Sequence, residues 1–201
     1  MDEDDVKGRI LQVAAELFME RGFGGTSVRE IGERAGVGQS SLYHHVRSKG
    51  PLLQELHQSF AQELIAKLES VTSSRGSAGD QLREVVQIFL TVVETHQSQV
   101  TVYLREHHAL SPEAKEQIQR DRDHVDNLVD AVIQRGIDAG QFRENLDVHL
   151  ARLALLGMCN WSYEWYRPAG PRKVSEISDY FADFVLEGIL APRSPQPNCP
   201  A

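Results

Sequence analysis

The sequence predicts an all-α protein of about nine helices, with a small three-helix head at the N-terminus and a larger helical body behind it. Three observations lead there. Apolar residues recur every three to four positions along almost the whole chain. Val, Ile and Thr never form the alternating runs that mark strands. Two short amphipathic segments near the N-terminus are separated by a glycine-containing break, the sequence form of a helix-turn-helix.

Taken in order, the first helix is expected over 5–21, on the spacing of Val6, Ile10, Ala14 and Leu17, with Gly22-Phe23 as its stop signal. A second starts near Ser27, where Ser27 and Glu30 make a capping box and Val28, Ile31 and Ala35 share a face. Gly36 breaks it, and Gly38 opens a short third helix through His45. A long fourth helix follows, with Ser48 as its cap, Pro51 in its first turn and a stripe of Leu53, Leu56, Phe60, Leu64 and Leu68. The Ser/Gly-rich stretch 70–79 reads as a loop. Leu82, Val85, Val86, Phe89 and Val93 mark a fifth helix, and a shorter one spans 98–108. Ser111-Pro112 starts a long helix ending near Gly140. Asp147 starts another, broken by Pro168, Gly170 and Pro171. The last carries Ile177, Phe181, Phe184, Val185 and Ile189. Residues 191–201 hold four prolines and are expected to be disordered. The domains are therefore drawn at 1–47 for the head and 48–190 for the body.

A chain of 201 residues buries a real core without disulfides or metal. No apolar run approaches the roughly 18 residues a membrane span needs. The acidic start, Asp2 to Asp5, is unlike a secretory signal, so a cytoplasmic location is expected. Cys159 and Cys199 are then two free thiols in a reducing compartment. The net charge of −8 is unevenly spread. Residues 6–49 hold seven Lys/Arg against four Glu, whereas residues 50–201 hold fourteen Lys/Arg against twenty-one Asp/Glu. A basic head on an acidic body suits nucleic acid at one end only.

On the third helix Leu42 and Val46 turn inward, leaving Gln39, Ser40, Tyr43 and His44 to project outward. Gln bonds adenine at two positions, and Ser and His reach acceptors in the major groove. Tyr43, His45 and Lys49, with Ser27 and Arg29 on the preceding helix, are placed for phosphates. The pattern alone also fits a plain three-helix bundle with polar surface residues.

Residues 6–52 are more specific than the pattern. Ala15, Leu17, Phe18, Gly22, Phe23, Thr26, Ser27, Val28 and Ile31, then Ala35-Gly36-Val37, Leu42-Tyr43, His45, Ser48-Lys49 and Leu52 closely resemble the TetR family of bacterial regulators. Val46 stands where that family usually has Phe, Gly32 where it often has Ala, and Gly38 where Ser or Thr is common. The resemblance implies a homodimer on a pseudo-palindromic double-stranded DNA operator, repression, and release by a small ligand in a C-terminal ligand-binding and dimerisation domain.

In the body, Trp161, Tyr163, Trp165 and Tyr166 fall within six positions. With Val102-Tyr103, Gly136-Ile137 and Phe142 they look like the TetR subgroup that governs fatty-acid and steroid breakdown. That similarity implies a small apolar effector, an acyl-CoA thioester. The expected ligand residues are Phe89, Val93, His96, Tyr103, His107, Leu128, Val132, Met158, Trp161 and Trp165, with Arg105, Arg120, Arg122 and Arg167 available for phosphates. The tryptophans equally suit helix packing. Leu150, Leu153, Ala154, Ile177, Phe181, Phe184 and Val185 form two apolar stripes expected to pair across a two-fold axis. A body that serves only dimerisation or a protein partner is the alternative.

Enzyme chemistry is not expected. His107 and His124 lie among acids, but there is no H-E-x-x-H, no zinc-spaced cysteine pair, no phosphate loop and no nucleophile elbow. No cofactor and no metal are expected.

Overall fold

The computed structural model describes residues 3–46 and 48–189. The 191–201 tail, Cys199 and the 1–2 terminus lie outside the described residues. Within them the chain forms α1 Glu3–Arg21, α2 Val28–Ala35, α3 Gln39–His45, α4 Lys49–Ser73, α5 Ala78–Thr95, α6 Gln97–Glu106, α7 Pro112–Asp138, α8 Val148–Trp165 and α9 Val174–Ile189. A single 3₁₀ turn, His107–Ala109, follows α6, so the helix expected to reach His108 tightens two residues earlier.

The head is built by its caps. Gly22 (φ 75°) and Gly36 (φ 66°) close α1 and α2 in the left-handed region that suits glycine. The α2 capping box is complete: Ser27 Oγ accepts from the Glu30 amide at 3.2 Å, and the Glu30 carboxylate accepts from the Ser27 amide at 2.9 Å. Thr26 Oγ1, buried, donates to the carbonyls of Leu17 and Gly22 and fixes the turn between α1 and α2. Gly38 opens α3 with no side-chain cap, as its lack of a hydroxyl dictates. Ser48 occupies the N-cap of α4 but makes no capping bond.

The expected 70–79 loop shrinks to residues 74–77. Thr72 and Ser73 return their hydroxyls to the Glu69 carbonyl, and Val71 is buried, so α4 continues through a serine-rich stretch. Gln81 then satisfies the end of α4, donating to the carbonyls of Val71 and Ser74, both at 3.0 Å.

In the body α5 is central and packs against α4, α7, α8 and α9. Phe142, after α7, folds its ring onto Gly136. A Cβ at Gly136 would lie 2.1 Å from that ring, so the glycine sets this approach. The head sits on α4 and α6 through α1. Cys159 is free and buried, its thiol pushed up to about 12 by burial, which makes it inert.

Most buried polar groups are satisfied. Arg152 pairs with Asp126 at 2.5 Å and Asp130 at 2.8 Å. His57 on α4 stands out among the described residues. It is 3% exposed, and its Nδ1 has no hydrogen-bond partner. Burial holds the ring down at about 4, against an ordinary value of 6.5. Between those values the unfolded chain binds a proton that the folded chain does not. The His57 contribution to stability is therefore level above pH 6.5 and falls as pH drops toward 4. His57→Phe is expected to flatten this fall. In urea titrations at pH 7 and pH 5, the native chain loses on the order of 1–2 kcal/mol more than the variant. Parallel losses in both would show that His57 is not the titrating group.

Candidate DNA-reading helix and ligand cavity

Helix α3 presents Gln39, Ser40, Tyr43 and His44 to solvent, while Leu42 and Val46 are buried beneath it. His45 is half-buried, its ring edge-on to His44 at 5.4 Å. Ion pairs tie the head together behind α3. Arg34 forms a two-pronged pair with Glu20 at 2.7 and 2.8 Å, tying α2 to α1. Arg21 bridges to Glu30.

Of the residues expected at phosphates, Ser27, Arg29 and Lys49 are already engaged. Ser27 is held in its capping box. Arg29 lies exposed against Glu33 at 2.8 Å, a surface pair of small worth that a phosphate readily displaces. Lys49 differs. Its ammonium donates to the Phe23 carbonyl at 2.5 Å and lies 4.8 Å above the Phe23 ring. The Phe23 amide donates to Glu106 at 3.3 Å. The α1–α2 turn is thus gripped from two sides, by the first residue of α4 and the last residue of α6.

The same two helices wall a cavity of about 380 Å³ in the body. α4 contributes His57, Phe60 and Leu64, and α6 contributes Val100, Tyr103 and Leu104. Phe89 of α5 and Leu156 of α8 add to the apolar lining, and Asp121, Arg122 and Asp126 of α7 add charge. The volume lies at the low end of the roughly 300–1,000 Å³ usual for ligand sites. A larger cleft, about 690 Å³, separates α1 from the α5–α6 junction, but polar residues dominate it.

Of the ten residues expected at a ligand, the cavity brings together Phe89 and Tyr103. Val93 and Val132 are buried core, and Leu128 packs half-buried against it. His96 bonds Glu63 at 2.7 Å beside the polar cleft. His107 is exposed at the far end of α6. Met158 lies in a groove with Leu150 and Phe184, and Trp161 and Trp165 stand exposed on the outer face of α8. Helical spacing marks an apolar face but not its neighbour, and the outer stripe of α8 reads like a pocket wall. His57, Asp121 and Arg152 were missed. The available signal was His57 itself, a polar residue flanked by the apolar stripe of α4.

His124 pairs with Glu69 at 2.8 Å. Among the described residues no group of three or more His, Cys, Asp or Glu is placed to hold a metal. No helix of the described residues is long and apolar enough to cross a membrane.

The outer face of α8 and α9 is apolar and uncovered. Leu150, Leu153, Trp161, Trp165, Tyr180 and Phe184 are exposed there, between 43% and 70%. Ala154 is exposed among them, and Phe181 and Val185 are half-buried. Ile177, expected on this face, is buried in the chain's own core instead, on the side of α9 that packs inward.

Comparison with known proteins agrees with this architecture. Residues 10–56 match the family described as bacterial regulatory proteins, tetR family, and residues 75–189 match the tetracyclin repressor-like C-terminal domain. The HTH-type transcriptional repressor KstR2 of Mycobacterium tuberculosis is 32% identical over 185 residues, spanning 91% of this chain and 92% of the relative. The structure of that ketosteroid transcriptional regulator superposes with a TM-score of 0.85 at 31% identity, covering 92% of this chain and 95% of the other. The TetR family regulator PfmR of Thermus thermophilus gives 0.83 at 32% identity, over 89% and 97%. AibR, solved with isovaleryl coenzyme A and operator DNA, shares the fold at a TM-score of 0.78 and 24% identity, over 89% and 97%. The chain belongs to the TetR family of bacterial transcriptional regulators.

Proposed function

We propose that this chain is a ligand-responsive repressor. It binds a pseudo-palindromic operator as a homodimer, reads base edges with Gln39, Ser40 and His44, and is released by a small apolar effector seated between α4 and α8. The observation that carries this reading is the double duty of α4 and α6. They wall the apolar cavity, and their ends hold the Phe23 turn of the head. A ligand that spreads the two helices changes the spacing of the heads, and half-sites lie one helical turn apart, so small rotations lose binding.

The effector class is an acyl group carried as its coenzyme A thioester. The support is an apolar lining with Arg122 at its edge, together with AibR, a fold neighbour solved with such a thioester. The cavity admits on the order of a dozen non-hydrogen atoms, so it takes the acyl part and leaves the nucleotide outside. The exposed face of α8 and α9 supplies the dimer interface. Leu153 belongs both to that face and to the cavity wall, so the partner subunit abuts the ligand.

Genomic fragments captured by the purified protein, with and without a mixed acyl-CoA pool, test the whole reading. The expected result is enrichment of a pseudo-palindrome that the pool abolishes. Enrichment unmoved by the pool would leave the body to dimerisation or a protein partner. No enrichment at low salt contradicts operator binding.

Within the recovered site, Gln39→Ala and His44→Ala are expected to lose discrimination at single base positions, about 1–3 kcal/mol each. Arg29→Ala weakens binding to all sequences and lowers the salt slope by about one unit. Equal losses on every sequence from all three variants would show that α3 does not read bases. Phe184→Asp is expected to give a protomer mass in light scattering at micromolar concentration and to abolish operator binding. A retained dimer places the interface elsewhere.

A further inference from the structure

We propose that His57 is the specificity-determining contact of the cavity. It selects an effector whose buried apolar end carries a keto or hydroxyl oxygen and whose anionic group stays at the mouth beside Arg122. This rests on the reading of the cavity as the effector site, and goes beyond it by assigning polarity to the two ends of the ligand.

His57 lies on the cavity wall with its ring packed at 4.6 Å from Tyr103 and 5.2 Å from Phe60. Its side chain is 4% exposed, yet Nδ1 has no hydrogen-bond partner in the protein. The nearest carboxylate oxygen, on Asp121, is 3.9 Å away, beyond hydrogen-bonding reach. An unpaired buried polar atom in a well-packed chain is costly, and a ligand that pairs with it recovers that cost on binding. The unliganded chain therefore holds back a preference that only the right ligand satisfies.

The chemistry of the partner follows from the surroundings. Burial keeps the imidazole uncharged near neutral pH. A neutral ring donates to a carbonyl oxygen or accepts from a hydroxyl, and offers no charge to a carboxylate. Asp121, 3.9 Å from Nδ1, repels an anion at this nitrogen, whereas the Arg122 charge, which also reaches the ring, acts from the exposed rim. Phe60, Leu64, Phe89 and Leu156 around it accept hydrocarbon. Of the two cavity arginines, Arg152 is neutralised by Asp126 and Asp130. Arg122 is exposed at the rim, and none of the ion pairs among the described residues involves it. The anion therefore belongs at Arg122 and the oxygen at His57.

The test is calorimetric titration of the full chain with octanoyl-CoA and with C8 thioesters bearing an oxo group at carbon 5, 6 or 7. The native chain is expected to bind the best oxo thioester about tenfold tighter than octanoyl-CoA. His57→Phe, which keeps a ring in place, should abolish that preference while still binding octanoyl-CoA. His57→Gln, which restores a hydrogen-bonding group, should recover part of it. Equal affinity of the native chain for all four probes, as when Asp121 closes on His57 instead, overturns the inference and leaves the cavity reading intact. So does a preference that survives in His57→Phe. Failure of every probe to bind overturns both. Thermal melts of the variants confirm that each remains folded.

Discussion

The structure depends on the grip that α4 and α6 hold on one turn of the head. The Phe23 carbonyl is bonded by the Lys49 ammonium, its ring lies under that ammonium, and its amide is bonded by Glu106. These are charge-assisted contacts on a partly buried main chain, stronger than the surface pairs elsewhere in the head. Together with the packing of α1 on α4 and α6, they set the position of α3 relative to the body without touching α3. Ion pairs between α1 and α2 tie the head together, so in the proposed function a shift of the turn would carry α3 with it.

In the proposed function the grip transmits what happens in the cavity. Its walls belong to the helices whose ends hold Phe23, so the volume of a bound ligand would displace those ends. A closely packed interior transmits strain rather than absorbing it, which favours two discrete arrangements. The cavity also stores a polar imbalance, because His57 is desolvated without a partner while Arg152 is fully paired. Under the proposed reading, His57 in the wall and Arg122 at the rim would orient an amphipathic molecule between them.

The head was legible in the sequence because its information is local. Ser27, Glu30, Gly22 and Gly36 act on neighbours within a few positions, and each does in the structure what its side chain dictates. The order and type of the helices followed from spacing in the same way. The α4 terminus did not, because Thr72 and Ser73 bond back to the helix and a buried Val71 outweighs loop-like composition. The cavity was less legible still. Which helix faces which is a tertiary fact, so Val93 and Val132 fell into the core, Trp161 and Trp165 onto the outer face, and Ile177 inward. The role of Lys49 was hidden for the same reason, since its partner lies 26 residues away.

The most direct test is residue-resolved amide hydrogen exchange with and without the acyl-CoA pool. On binding, amides of the α6 cavity wall around Tyr103 should gain protection while the Phe23 amide loses it, as Glu106 draws away. Added protection at the cavity with an unchanged Phe23 amide would show that ligand occupies the body without loosening the head, and would contradict the account.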